Sequence, residues 1–203
     1  KGLRRAPALL LPDVFDPALC QQLIAEWRRD HYEGVITLGT GRAEDDDRLE
    51  VAASVKLRLD HRLANEANAR VSQIAGRRVV PMLHKAFQFA TGSMQHYRVV
   101  AYSAERGDFF KPHRDNDSAS TEDRRFAMSV NLNDEYEGGA VRFPEFGNDA
   151  YRPPTGAALI FSCSLLHEAM PVTRGTRFVA LTFFFGAREQ KRPPPKRLPG
   201  LGG

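Results

Sequence analysis

The chain has 203 residues, 42% hydrophobic and 27% charged, which is normal for a soluble globular protein and suits one domain with a full hydrophobic core. No apolar run approaches the roughly 18 residues that a membrane-spanning helix requires. The formal net charge is +4, and residues 187–203 hold five cations (Arg188, Lys191, Arg192, Lys196, Arg197) against Glu189, so the excess lies there and residues 1–186 balance. A folded body without a basic excess argues against nucleic-acid binding.

The opening shows no charged-then-apolar leader, and only Cys20 and Cys163 occur, so a cytoplasmic protein with reduced thiols is expected. The first residue is Lys1 rather than Met, which leaves room for an upstream domain. Residues 7–15 (PALLLPDVF) read as a short strand leading into a helix, with Asp16 as N-cap, Pro17 at the first helical position, and Leu19, Leu23, Ile24 and Trp27 at helical spacing. Residues 37–50 read as a polar loop with a solvated run of acids, and residues 59–76 as a second helix ending at Gly76.

From Met94 the texture changes to short β-rich runs between turn residues: 94–103, 125–133, 140–143, 157–162 and 177–185. Gly138-Gly139 reads as a turn, since no helix follows to make it a phosphate cradle. Helices first and many short strands later predict an α+β chain with a β-sandwich or jelly-roll catalytic half. Residues 1–186 are expected to form one domain. Residues 187–203, with Pro193–Pro195 and closing glycines, are expected to form a flexible extension dispensable for catalysis, with an acidic partner as the alternative.

Among six histidines, His113 stands out by its company. The stretch KPHRD (111–115) places Asp115 two residues after His113, and two such residues on extended chain point to one side. His167 follows the apolar run 157–162 after a short connector. Two imidazoles and a carboxylate on one face of a metal leave other positions open, as in the facial triad of non-haem Fe(II) oxygenases. His-x-Asp alone is weak, because it arises often by chance. Arg177, ten residues after His167 and leading the apolar run FVALTFFF, adds a second signal. A guanidinium at the mouth of a buried pocket requires an anionic partner, and a dicarboxylate co-substrate supplies one through a bidentate contact.

In the stretches AYSAERGDFFKPHRDN (101–116), RRFAMSVNLNDEYEGGAVRFPE (124–145) and PPTGAALIFSCSLLHEAMPVTRGTRFVALTFFFG (153–186), the chain resembles the 2-oxoglutarate/Fe(II) oxygenase superfamily, prolyl-4-hydroxylase-like branch. The resemblance covers about 11–186. It implies a double-stranded β-helix (jelly-roll) core with N-terminal supporting helices, and Fe(II), 2-oxoglutarate and O2 as cofactor, co-substrate and oxidant. It implies iron ligation by His113, Asp115 and His167, and binding of the distal carboxylate of 2-oxoglutarate by Arg177. Relatives often carry a Tyr where Tyr102 stands, bonding the same carboxylate, and another Tyr where this chain has Asn131, which retains the capacity to hydrogen-bond the co-substrate. The implied reaction is hydroxylation of a small-molecule or peptidyl substrate with release of succinate and CO2. No nucleic-acid or membrane partner is expected.

Other readings differ in what they require. A hydrolase built on the triad has no use for Arg177 at that spacing. A jelly-roll metal-binding protein with a vestigial site would not need all three ligands. HExxH is absent, since the position four after His167 is Pro171. Cys163 lies in the apolar run LIFSCSLL and reads as an inert core thiol. His96 and Arg98 share the strand parity of Tyr102, so either a surface role or the lining of a substrate pocket is open to them.

Overall fold

The computed structural model describes residues 5–33 and 55–187; the polar loop 37–50 and all but Ala187 of the 187–203 extension lie outside the described residues. Strand β1 (Ala8–Leu11) leads into helix α1 (Pro17–Arg29) as the sequence predicts. The Asp16 carboxylate accepts a 2.8 Å hydrogen bond from the Leu19 amide, and Pro17 fills a position whose missing N–H costs the helix nothing. Leu19, Leu23, Ile24 and Trp27 are the buried face of α1. Trp27 meets Phe178 edge-on at 5.0 Å, which fixes the helix against the sheet.

Two antiparallel sheets follow. The larger orders its strands β1, β12 (Ala158–Ser162), β8 (Arg124–Asn131), β14 (Val172–Gly186), β6 (Arg98–Ser103), β4 (Leu59–Arg62) and β2 (Tyr32–Glu33), with β5 (Thr91–Met94) and β9 (Tyr136–Gly138) also on β14. The smaller orders them β11 (Ala150–Tyr151), β10 (Val141–Arg142), β13 (His167–Ala169), β7 (Phe109–His113) and β3 (Lys56–Leu57). Neither sheet closes into a barrel.

The central strands are buried on both faces, so alternate side chains enter two different cores. Met128, Val130, Ala158, Ile160, Ala180 and Phe184 face the cluster shared with α1 and the later helices. Ala127, Leu159, Phe161 and Phe183 instead meet Val141 and Phe143 of the smaller sheet region. This is the layered arrangement of a jelly roll: helices brace one face of the large sheet, and the site forms between the sheets on the other.

Three expectations fail in detail. Residues 59–62 are strand β4, paired with β6 from Leu59 opposite Ala101 to Arg62 opposite Arg98, and helix α2 begins only at Asn65. Tertiary pairing overrides local helical periodicity here, and the buried Asp60 disguised the strand. Gly76 does not end α2, which runs to Arg78 and is followed by α3 (Val80–Phe87). Arg177 lies inside β14, because the polar, mostly exposed stretch 173–176 already belongs to that strand. Among the described residues no helix is long and apolar enough to cross a membrane.

Candidate active site

His113 ends β7 and His167 begins β13, and the two are direct partners across that antiparallel pair. Asp115 lies just past β7 in a turn, so the parity of an extended strand does not place it. Its amide donates to the Cys163 carbonyl at 3.0 Å, and this bond brings the carboxylate back over the sheet. The Nε2 atoms of His113 and His167 each stand 3.5 Å from a different oxygen of Asp115. One ligand atom from each of the three residues lies within 4.8 Å of the others, a spacing that could hold one metal ion.

Both imidazoles are oriented alike. His113 Nδ1 is 2.8 Å from the Lys111 carbonyl and His167 Nδ1 is 3.0 Å from the Leu165 carbonyl. A carbonyl can only accept, so Nδ1 carries the proton in each ring and the Nε2 lone pair faces Asp115. Packing holds the rings: Phe110 stacks on His113 with centroids 3.4 Å apart, and Phe161 lies 4.6 Å from His167. Burial lowers the His167 pKa and His113 adds to the effect against the pull of Asp115, which favours the neutral, ligating imidazole. Burial alone would raise the pKa of Asp115, but His167, His113 and Arg124 together hold it below its ordinary value, so the carboxylate is charged. A mixed nitrogen and oxygen set of this kind suits Fe(II) and its first-row neighbours.

Behind the triad an inner cavity is lined by Arg58, Tyr102, Phe161, His167 and Arg177 among others. Arg177 is 3% exposed and sits opposite Tyr102 on neighbouring strands, its guanidinium carbon 5.9 Å from the Tyr102 ring centroid. Its Nε is buried and has no hydrogen-bond partner, and among the described residues no carboxylate pairs with it. A buried cation left in that state is costly, so the site is built for an anion that the described residues do not supply. At Gly139 a side chain would collide with this arrangement: φ is +64° and a Cβ would lie 2.9 Å from Val172 Cγ2 and 3.1 Å from Arg177 Cδ.

Tyr102 is 4% exposed and its hydroxyl receives a 3.0 Å hydrogen bond from Arg58 Nη1. With that lone pair occupied, the Tyr102 O–H is left free to donate. Asn131 is not among the residues that line this cavity. Its Nδ2 donates to the Asn133 and Pro153 carbonyls at 2.7 and 3.0 Å, and its Oδ1 accepts from Tyr136 at 3.0 Å. Both Nδ2 protons and one lone pair of Oδ1 are used in holding the loops beyond β8. Cys163 is buried and its thiol pKa is raised, first by burial and then by Asp115, which fits an inert core thiol.

Sequence reasoning missed Arg58 and Lys56. Arg58 is 7% exposed, grips Asp60 through Nε at 2.8 Å and Nη2 at 3.3 Å, and lines both the inner cavity and the cleft outside the triad. Burial would raise the Asp60 pKa, but Arg58 and Lys56 pull it below its ordinary 3.8. A carboxyl depressed in the folded state stabilises the protein above its unfolded pKa, and that contribution disappears as pH falls through the folded value. Asp60→Asn should therefore lower stability at neutral pH, by about 3–5 kcal/mol for a buried pair losing one charge. It should also flatten the loss of Tm between neutral pH and roughly pH 3. Parallel acid profiles of Tm in wild type and variant would refute this.

The comparisons agree with this geometry. A model of the 2OG-Fe(II) oxygenase superfamily matches residues 97–185. A PKHD-type hydroxylase of Xanthomonas axonopodis pv. citri is 28% identical over 209 residues, covering 93% of this chain and 82% of the relative. In fold, the chain is similar to the viral collagen prolyl hydroxylase of Paramecium Bursaria Chlorella virus-1, with TM-score 0.66 and 15% identity over 92% of this chain and 99% of the other. It is similar also to a Trichoplax adhaerens prolyl hydroxylase solved with a hypoxia inducible factor peptide, with TM-score 0.68 and 13% identity over 91% and 86%. The match over residues 97–185, the hydroxylase relative and the shared fold together support a 2OG-Fe(II) oxygenase with a prolyl-4-hydroxylase-like fold, a 2-oxoglutarate-dependent dioxygenase that uses Fe(II), 2-oxoglutarate and O2.

Proposed function

We propose that His113, Asp115 and His167 hold Fe(II), that Arg177 and Tyr102 bind the distal carboxylate of 2-oxoglutarate, and that the enzyme hydroxylates a small-molecule or peptidyl substrate with release of succinate and CO2. The observation that carries this is the Arg177 guanidinium, buried without an anion in the cavity behind three converging ligand atoms. O2 would be the oxidant, activated at a bound Fe(II) while 2-oxoglutarate gives up two electrons to become succinate and CO2 and the substrate C–H bond gives up the other two; the protein supplies placement.

Each side chain has a part in that placement. The carbonyls of Lys111 and Leu165 fix the tautomers that aim both Nε2 lone pairs at one point. Asp115 contributes the anionic ligand, which lowers the net charge of a bound divalent ion and leaves other coordination positions open. Arg177 offers the co-substrate a charge-assisted contact, and Tyr102, its oxygen held by Arg58, donates its proton to the same carboxylate. Phe161, Val179 and Leu181 form apolar walls that limit water around the reacting centre.

Anaerobic titration of 2-oxoglutarate into the Fe(II)-loaded protein should produce the visible charge-transfer band of a keto-acid chelate. Admission of O2 should then yield succinate in proportion to 2-oxoglutarate consumed. A protein that binds Fe(II) but develops no such band would refute the co-substrate assignment and favour a hydrolase or a vestigial metal site.

A further inference from the structure

We propose that Arg124 is a positioning residue for the metal ligand Asp115, clamping the loop between them so that the carboxylate meets the two imidazoles. The inference rests on the functional reading above, in which Asp115 is a ligand, and concerns how this chain aims it. Asp115 stands past the end of β7, so strand pairing does not fix its backbone. Two hydrogen bonds do. Its amide donates to the Cys163 carbonyl at 3.0 Å, and its carbonyl accepts from Arg124 Nη1 at 3.4 Å. With the peptide groups on both sides of the Cα held, the carboxylate moves only through its two side-chain torsions. A metal ligand tolerates little drift, since its distance to the ion is set to within about 0.2 Å.

Arg124 is itself anchored. It opens β8 opposite Phe185 of β14. Its guanidinium carbon lies 3.9 Å from the centroid of the Phe183 ring, and its Nε donates to Gln95 Oε1 at 3.1 Å. Gln95 is fastened to β14 through its main chain: its amide donates to the Phe183 carbonyl at 2.8 Å, and its carbonyl accepts from the buried Thr182 hydroxyl at 2.6 Å. The contact to Asp115 therefore leads into the middle of the large sheet. The planar guanidinium, with donors on separate nitrogens, serves Gln95 and Asp115 at once, which a single ammonium head does less well.

The loop returns to the sheet through successive turns. The Thr121 amide donates to the Ser118 carbonyl and the Arg124 amide to the Thr121 carbonyl, each at 2.9 Å. From there the Arg124 side chain crosses to the other end of the loop, nine residues back, and closes it. Asp117, Ser118, Ser120 and Thr121 of this loop line the cleft of about 410 Å³ on the outer side of the triad. The same clamp thus shapes that wall of the cleft where it meets the metal ligand.

The test is Arg124→Met, which keeps an apolar stem over Phe183 and removes the donors. In the metal-free protein, amide hydrogen exchange should rise locally, in residues 115–123, with the central strands unchanged. Anaerobic equilibrium dialysis of Fe(II) should show affinity about ten- to a hundredfold weaker than wild type, as for other groups that orient metal ligands. At saturating Fe(II) and 2-oxoglutarate the charge-transfer band should return at a shifted wavelength. Arg124→Lys should recover part of the affinity. Arg125→Ala, whose exposed guanidinium bonds the Glu122 carbonyl, should change none of these readings. Wild-type Fe(II) affinity with an unshifted band in Arg124→Met would overturn the proposal. So would an affinity loss accompanied by faster exchange throughout the protein, because that is the mark of a merely structural cation. If Arg124→Met does not fold, Gln95→Leu, which unfastens the Arg124 head, is measured instead: weaker Fe(II) binding supports the clamp, and wild-type binding overturns it. A wild type that neither retains Fe(II) nor develops the band would overturn the functional reading beneath it.

Discussion

Asp115→Ala is expected to release no succinate and to bind Fe(II) more than about 100-fold more weakly than wild type. The carboxylate is the single anionic donor of the triad, and its two oxygens face Nε2 of His113 and Nε2 of His167 at 3.5 Å each. Without it, two neutral imidazoles offer a divalent ion no charge compensation. The backbone need not move, because the bond that shapes the turn is made by the residue 115 amide to the Cys163 carbonyl, which Ala retains. A loss of metal in a folded protein is therefore the outcome to seek, by metal analysis after dialysis alongside succinate assay. Asp115→Asn, closer in size, separates loss of charge from loss of volume and should behave nearly as badly. Iron-dependent succinate release at the wild-type rate in either variant would remove Asp115 from the site.

The site was legible in the sequence where chemistry and chain order coincide. His113 and Asp115 are two residues apart, and His167 and Arg177 follow at an interval set by one turn and one strand, so a linear reading finds them. Asp115 is positioned by a turn bonded to Cys163 rather than by strand alternation. Arg58 was hidden for a different cause. It adjoins β4, whose inward residue is the charged Asp60, so the segment carries no hydrophobic alternation and its neighbours pass as helix. Burial of an ion pair in a strand can be seen only once β6 is beside it. Asn131 shows the converse: a polar residue at the right place in a strand, whose amide donates both its protons to the neighbouring loops. Local pattern reports which residues are inside, while partner assignment requires the whole fold.

Arg177→Ala separates the co-substrate reading from its rivals through opposite effects on binding and on stability. Arg177 is 3% exposed, its Nε has no partner among the described residues, and Tyr102 faces it from the next strand. Removing one member of a buried charged pair costs on the order of 3–5 kcal/mol. At about 1.4 kcal/mol per tenfold, 2-oxoglutarate affinity should fall roughly a hundred- to several-thousand-fold. Fe(II) affinity should stay near wild type, because a guanidinium does not ligate the metal. Arg177→Lys should be milder, keeping the charge but losing the planar fork. In the protein without co-substrate the sign reverses: Arg177 there is a buried cation lacking an anion, so Arg177→Met, which keeps much of the volume, should leave Tm unchanged or raise it. Titration of the anaerobic Fe(II) protein, followed by the charge-transfer band, gives the first quantity, and thermal unfolding without 2-oxoglutarate gives the second. If Arg177→Ala binds 2-oxoglutarate as tightly as wild type, the orphaned guanidinium serves another anion. If Arg177→Met unfolds well below wild type without co-substrate, Arg177 is a structural cation whose partner lies outside the described residues.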